Sequence, residues 1–133
     1  MDKVSRDVAA QEIESWLDYK KINARKRESY QDQIDTLIDG VCDGALVLNA
    51  DTHVLTHNLK FPLEAEVNTS SLDYTPRVKM KAIHHNMQGV KSGDADGRVC
   101  AYIATLAGKP KELIKAMDTE DYSIAQAVAI FFL

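Results

Sequence analysis

The segment from Asp94 to Leu133 constrains the fold of this chain more than any other. Its apolar residues recur every three or four positions, which is the spacing of one face of an α-helix. Gly108 suits a helix C-cap, because glycine adopts a positive φ without strain. Pro110 suits the first turn of a following helix, where its missing N–H would be unpaired anyway. These signals predict three helices in the segment.

The last of these helices has two informative ends. Asp118 can cap its first turn with a side-chain oxygen, and Glu120 and Asp121 place negative charge at the positive end of the helix dipole. Capping accounts for all three acids. From Ala127 to Leu133 every residue is apolar, on all sides of the helix. Such an end is either buried within the domain or in contact with a partner.

Composition restricts the class of protein. The 133 residues are enough for one domain with its own core, without metal or disulfide support. A net charge of −4 argues against a dedicated nucleic-acid binder, since phosphate affinity comes mainly from Lys and Arg. Cys42 and Cys100 lack the spacing of a metal site or a disulfide framework, and Cys100 reads as a small core residue. The chain has no apolar run long enough for a membrane span, and its charged N-terminus is unlike a signal peptide, so we expect a cytosolic protein.

Residues 1–41 are predicted to form an N-terminal helical arm, with helical character from Val4 to Val41 and a start near Ser5. Apolar residues spaced by four, three and four positions are typical of a helix that packs along another helix. This seam comprises Tyr30, Ile34, Leu37 and Val41. The basic run from Lys20 to Arg27 interrupts the apolar pattern. One long helix with a solvated waist and two helices with a hinge would both produce this sequence.

After the arm, the apolar period changes to that of strands. The runs 45–49 and 52–61 are extended and apolar, and they predict a β-hairpin within residues 45–67. Pro62 ends the second strand or marks a bulge. Residues 68–74 read as a polar loop.

A further helix is predicted to open at Thr75 and Pro76, an N-cap followed by a first-turn proline, and to end near Gly89. Residues 93–97 read as a second loop. Residues 75–133 are therefore expected to form a bundle of about four short helices. The predicted fold class is α+β, mostly α, in one domain.

No catalytic or metal-binding constellation is evident in the sequence. His53 and His57 share one face of a predicted strand but lie about 13 Å apart, too far to share an ion. His84 and His85 are neighbours on a helix and point in different directions. The SGDADG run at residues 92–97 lacks the full ligand pattern of a calcium loop. We therefore expect no enzyme activity, no metal and no cofactor.

Five pieces of the chain between Leu55 and Leu133 form a pattern by their order. They are LKFPL (Leu59 to Leu63), TPRVKMKA (Thr75 to Ala82), YIATLAGKP (Tyr102 to Pro110), KELIKAMDTEDYSIAQ (Lys111 to Gln126) and the FFL end. In this order they resemble the phage tail assembly chaperones, small proteins encoded just ahead of the tape-measure protein in long-tailed phages. Met117 stands where the family pattern has a leucine, and short members of the family need not carry the N-terminal arm.

The resemblance implies a non-enzymatic protein that binds tape-measure protein, tail tube protein or both in the host cytoplasm before tail assembly. Two sets of apolar residues are candidate partner-binding surfaces. They are Trp16, Tyr30, Ile34 and Leu37 on the arm, and Ile130, Phe131, Phe132 and Leu133 at the chain end. Burial in the core, or self-association as a homo-oligomer, would account for the same residues.

Two other functions fit the sequence. One is a small phage DNA-binding or regulatory protein that uses a basic helix surface. Its candidate residues are Lys20, Lys21, Arg25, Lys26 and Arg27. The other is a structural subunit that stays in the virion.

Overall fold

Seven helices and one three-stranded antiparallel sheet form the part of the chain that the structure, a computed structural model, describes: residues 3–64 and 69–133. In chain order the elements are α1 (Arg6–Tyr19), α2 (Ala24–Ser29), α3 (Gln31–Asp43), β1 (Leu46–Leu48), β2 (Leu55–Leu63), β3 (Thr69–Tyr74), α4 (Met80–Met87), α5 (Ala95–Ala107), α6 (Lys111–Lys115) and α7 (Thr119–Ala129). The predicted class, α+β and mostly α, is confirmed, with four helices after the sheet.

The N-terminal arm contains three helices, where one long helix or two were predicted. α1 begins as expected, because the Ser5 hydroxyl accepts a hydrogen bond from an amide of the first turn. It ends before Lys21, whose φ of 57° is left-handed and breaks the helical ladder. The Asn23 side chain caps α2, and Tyr30, with φ −114° and ψ 34°, separates α2 from α3. These breaks let α1 fold back and pack against α3.

The sheet has the order β1, β2, β3, so it is larger than the predicted hairpin. Leu55 pairs with Tyr74, and the register shifts at a bulge between Asn58 and Leu63. The polar loop predicted at residues 68–74 is wrong, since β3 begins at Thr69. Its polar side chains face outward while Leu72 and Tyr74 are buried, which is strand alternation within a polar composition. Residues 65–68, at the end of the predicted hairpin and the start of that loop, lie outside the described residues.

The helix predicted to open at Thr75 and Pro76 begins later, at Met80. The Thr75 amide donates to the Leu106 carbonyl at 3.1 Å, and Pro76 is buried. The segment after β3 therefore extends along α5 before α4 starts.

The helix ends of the C-terminal segment follow the sequence signals closely. Gly108 has a φ of 63° and forms the C-cap of α5, and the Asp118 carboxylate accepts from the Glu120 amide at the start of α7. Pro110 lies at the N-cap of α6, just before its first turn. The loop predicted at residues 93–97 is wrong, because the Asp94 side chain caps α5 and the helix begins at the next residue.

The core lies where α1, α3 and α7 pack with the sheet, and where α5 joins α7 and β3. The buried apolar residues form one cluster that runs from α1 to the chain end. Cys42 and Cys100 are both buried free thiols, as the reading of Cys100 as a core residue predicted.

Candidate functional site

Four of the residues predicted to bind a partner lie in the core. Trp16 and Phe131 are only 1% and 2% exposed, and their rings meet edge to face with centroids 5.8 Å apart. Ile34 and Leu37 are buried on α3. The Trp16 contact joins α1 to the chain end. In this fold the four side chains are buried in the core, which is the alternative that the sequence left open for them.

The other four predicted partner residues lie nearer the surface. Tyr30, Ile130 and Phe132 are half-buried, and Leu133 is exposed. The Tyr30 ring packs edge to face against Phe131 with centroids 5.9 Å apart. Some apolar surface of Ile130, Phe132 and Leu133 therefore remains accessible at this end of the molecule.

Lys20, from the predicted basic surface, is enclosed by its neighbours. Its Nζ atom lies 3.3 Å from the centroid of the Phe132 ring and 5.7 Å from that of Trp16, and it donates to the Pro76 carbonyl at 3.1 Å. Burial first, and then the positive charges of Arg77 and Lys26, together lower the pKa of Lys20 to about 8. Lys20 therefore stabilises the contact between α1 and the chain end.

The rest of the basic run is also partly engaged within the molecule. Lys26 Nζ donates to the Leu133 carbonyl oxygen at 3.3 Å. Arg27 pairs with Asp18 at 2.8 Å and donates to a backbone carbonyl. Lys21 and Arg25 are exposed and have no ion pair or hydrogen bond from their side chains within residues 3–64 and 69–133. The five cations do not form one free basic face.

A buried polar cluster joins α7 to the sheet, and the sequence reading missed it. The Asp121 carboxylate, 1% exposed, accepts hydrogen bonds from the backbone amides of Lys60 at 2.9 Å and Phe61 at 3.0 Å. His57 Nδ1 and the Tyr74 hydroxyl lie 2.7 Å apart. The expectation that capping accounts for Asp121 is therefore wrong: its carboxylate binds the bulge of β2.

Burial determines the protonation states of His57 and Tyr74 in this cluster. His57 has a pKa lowered to about 4, because burial disfavours the imidazolium more than the Asp121 carboxylate favours it. The 3.8 Å between His57 Nε2 and Asp121 Oδ1 is thus not an ion pair at neutral pH. Burial, and then Asp121, raise the pKa of the Tyr74 phenol well above its ordinary value. His57 and Tyr74 are neutral, the Asp121 carboxylate is hydrogen-bonded, and all three side chains are closed to solvent. The cluster is therefore suited to stabilising the fold.

A surface groove runs along one side of α4, with a volume of about 630 Å³. Its apolar lining residues are Met80, Ile83, Met87, Val90, Ala95 and Tyr102. Met80 is 69% exposed, the most exposed large apolar side chain among the described residues. We call this surface the α4 groove. A flexible thioether at the rim of an apolar groove can adapt to different partner side chains.

The opposite side of α4 carries a shallow basic pocket of about 730 Å³. Lys79, Lys81 and Lys109 line it together with His85, around a floor that includes Ala104. No acidic residue is among its lining residues. We call it the lysine pocket.

α4 packs on α5 between these two surfaces. Ile83 is its one buried residue, and the Asn86 side chain donates to the Thr105 hydroxyl of α5 at 2.7 Å. The partly buried Met87 also packs against the core, so α4 is held in place by two apolar side chains and one side-chain hydrogen bond.

A third pocket, of about 490 Å³, is lined by α5, α6 and the start of α7. Cys100 lies in it, with its thiol 3.9 Å from the Lys111 carbonyl. Burial raises the pKa of Cys100, despite the nearby charges of Lys111 and Lys115. The thiol is thus protonated at neutral pH and poorly suited to act as a nucleophile.

The four histidines are dispersed in the fold. His53 stacks on Tyr19 with ring centroids 4.1 Å apart and planes 1° from parallel, while His57 is buried in the sheet. His84 and His85 are exposed on α4. Among residues 3–64 and 69–133, no group of three or more His, Cys, Asp or Glu is placed to hold a metal ion.

None of the helices in the same ranges is long and apolar enough to cross a membrane.

No protein-family model, curated protein or solved structure matches the chain. Function is therefore inferred from the site geometry and from the ordered pattern of the sequence.

Proposed function

We propose that this protein is a non-enzymatic phage tail assembly chaperone, which binds tape-measure protein, tail tube protein or both in the host cytoplasm before tail assembly. One observation carries the proposal. The LKFPL piece and the KELIKAMDTEDYSIAQ piece of the chaperone-like pattern touch each other in the fold, because Asp121 accepts from Lys60 and Phe61. These two pieces are far apart in the chain but pack together in the fold. Such contact is expected if the ordered pieces of the chaperone-like pattern belong to one folded unit.

The α4 groove is the surface that best suits client binding. Met80 comes from the TPRVKMKA piece and Tyr102 from the YIATLAGKP piece, so the groove is built within the same pattern. A chaperone has to offer apolar surface to a client while remaining soluble, and an exposed methionine groove on a charged body meets both needs. We therefore propose that clients bind at α4, away from the buried Trp16 and Phe131.

Co-expression with the two tail proteins tests the proposal. We expect the soluble fraction of tape-measure protein, tail tube protein or both to rise several-fold when the chain is present. The variant Met80→Glu should remove most of that gain, because a charge at the groove rim opposes burial of a client side chain. Val8→Glu is the matched control, since Val8 is 46% exposed on α1, and it should retain the gain. If neither client becomes more soluble, the proposal is wrong.

Mass spectrometry of purified particles separates the chaperone from a structural subunit of the virion. A chaperone leaves before the tail is complete, so the chain should be absent from mature particles. Stoichiometric amounts in those particles would favour the structural role.

A further inference from the structure

Charge is strongly segregated along this chain. Residues 75–117, which include α4, α5 and α6, contain eight Lys and Arg against three Asp and Glu, a net charge of +5. Residues 28–73, which include α3 and the sheet, contain one Lys against nine Asp and Glu, a net charge of −8. The segment that contains α4 is therefore positive, on a chain whose total charge is −4.

The cations beside the α4 groove have no counterion. Lys91 and Arg98 line the groove, and neither forms an ion pair with the described residues. The Arg98 guanidinium lies 5.7 Å from the centroid of the Tyr102 ring, at the groove wall. The acid in the lining, Asp94, already accepts the Gly97 amide at 2.9 Å as the cap of α5.

The far side of α4 repeats this arrangement. Lys79, Lys81 and Lys109 of the lysine pocket likewise have no ion pair in the described part of the chain. Unpaired positive charge thus lies on both sides of α4, at the rim of the α4 groove and in the lysine pocket.

We infer that the α4 groove binds an amphipathic helix whose apolar face is bordered by Asp and Glu. This inference rests on the proposed function and specifies the client segment that the chaperone recognises. The apolar side chains of the helix would fill the groove beside Met80 and Met87, and its acids would meet Lys91 and Arg98. Opposite charges at the rim select the partner and its orientation more than they add affinity.

A second copy of this chain is a poorer occupant. α3 carries an acidic stripe, Asp32, Asp35 and Asp39, at helical spacing. Its apolar face, with Ile34 and Leu37, is buried in the core. The stripe therefore offers charge without the apolar face that the groove requires.

Nucleic acid is also a poorer occupant than an acidic helix. Tyr102, the one Phe, Tyr or Trp residue in the groove lining, is buried and offers no free ring face to a base, which leaves the exposed His84 imidazole as the single ring there to stack on. The total charge of −4 also opposes binding to a polyanion.

Three labelled peptides of about 18 residues test the inference by fluorescence anisotropy. The first has Leu at positions i, i+3, i+4 and i+7 bordered by Glu. The second has Lys in place of Glu, and the third has Ser in place of Leu. We expect the first peptide to bind about tenfold more tightly than either of the others, and its binding to weaken as NaCl rises. Equal binding of the Glu and Lys peptides would overturn the inference.

Two double variants with the same change in charge locate the contact. Lys91→Gln with Arg98→Gln should weaken binding of the Glu peptide about tenfold, whereas Lys21→Gln with Arg25→Gln should leave it unchanged. The control pair is exposed and lies outside the groove. Equal effects of the two double variants would overturn the inference, because the attraction would then depend on total charge alone.

Further outcomes separate this inference from the proposed function. If the chain raises client solubility in a Met80-dependent way but shows no preference for the Glu peptide, the inference is overturned and the proposed chaperone function stands. If the Glu peptide binds tightly but client solubility does not change, the inferred preference of the groove is supported and the proposed chaperone function is overturned. Displacement of the Glu peptide by a single-stranded DNA oligonucleotide at equal concentration, or self-association lost in the Lys91 and Arg98 variant, would overturn the inference.

Discussion

The Asp121 carboxylate and the Phe61 amide, 60 residues apart in sequence, are joined by a 3.0 Å hydrogen bond. The other carboxylate oxygen accepts from the Lys60 amide. Both amides belong to the bulged part of β2, where the ladder with β3 is interrupted between Asn58 and Leu63. A buried acid on α7 thus satisfies two donors that the bulge leaves without a strand partner.

Replacing Asp121 by Asn should destabilise the fold by about 2–4 kcal/mol, because one of the two buried amides would lose its acceptor. Urea unfolding followed by circular dichroism measures this loss. Glu120→Gln is the matched control, since Glu120 is exposed in the same first turn of α7 and the change in charge is the same. The control should change the free energy of unfolding by less than about 0.5 kcal/mol. Similar losses in the two variants would show that the helix dipole, and not the bulge, is what Asp121 stabilises.

His57 should make stability depend on pH below neutrality. Its pKa is about 4 in the folded chain and near the ordinary 6.5 in the unfolded chain, so the unfolded state binds more protons between these values. The contribution of His57 to the free energy of unfolding should therefore fall as the pH falls from about 6.5 to 4, by at most roughly 3 kcal/mol, and be constant at lower pH. Urea unfolding at several pH values measures the slope.

Two histidine variants separate His57 from the other titrating groups. His57→Gln should flatten the slope between pH 6.5 and 4, even if the variant is less stable at every pH. His84→Gln should keep the slope, because His84 is exposed. An unchanged slope in His57→Gln would mean that other groups, and not His57, produce the dependence.

Local signals in the sequence are enough to predict the helix ends of the C-terminal segment. Asp118 and Gly108 act on amides and carbonyls of their own helix, so their roles can be read from neighbouring residues. Asp121 also looks like a local capping residue, but its partners are fixed by a strand far away in the chain. β3 was missed for the same reason, because pairing with β2 outweighs the low strand propensity of its Ser and Asp residues.

Apolar periodicity identifies which residues leave water, but not which element covers them. The spacing of Ile34 and Leu37 predicts a packing face, and both residues are buried, yet the surface that buries Trp16 comes from the chain end. The α4 groove depends on how little of α4 is buried, which its sequence pattern leaves open. The signal that could have pointed to it is the excess of Lys and Arg in residues 75–117.

The predicted basic surface of the arm should not bind DNA. Lys20, Lys26 and Arg27 are engaged within the molecule, which leaves Lys21 and Arg25 as the unpaired cations of that run in the described residues. Changing Lys21 and Arg25 to Ala should leave retention on a DNA column unchanged at low salt. A salt-sensitive retention that disappears in this double variant would instead favour the DNA-binding function.

Trp16 should behave as a core residue in the folded chain, with or without a client. It is the single tryptophan of the chain, so its emission reports on one site. Because its side chain is 1% exposed against Phe131, the emission should be blue-shifted and protected from iodide until the chain unfolds. Trp16→Ala should reduce the free energy of unfolding by about 3–5 kcal/mol, whereas Val8→Ala on the exposed side of α1 should change it by less than about 0.5 kcal/mol. If the emission of the folded chain shifts or is quenched by iodide, Trp16 belongs to the partner surface. In that case Trp16→Ala should reduce client solubility without reducing the free energy of unfolding.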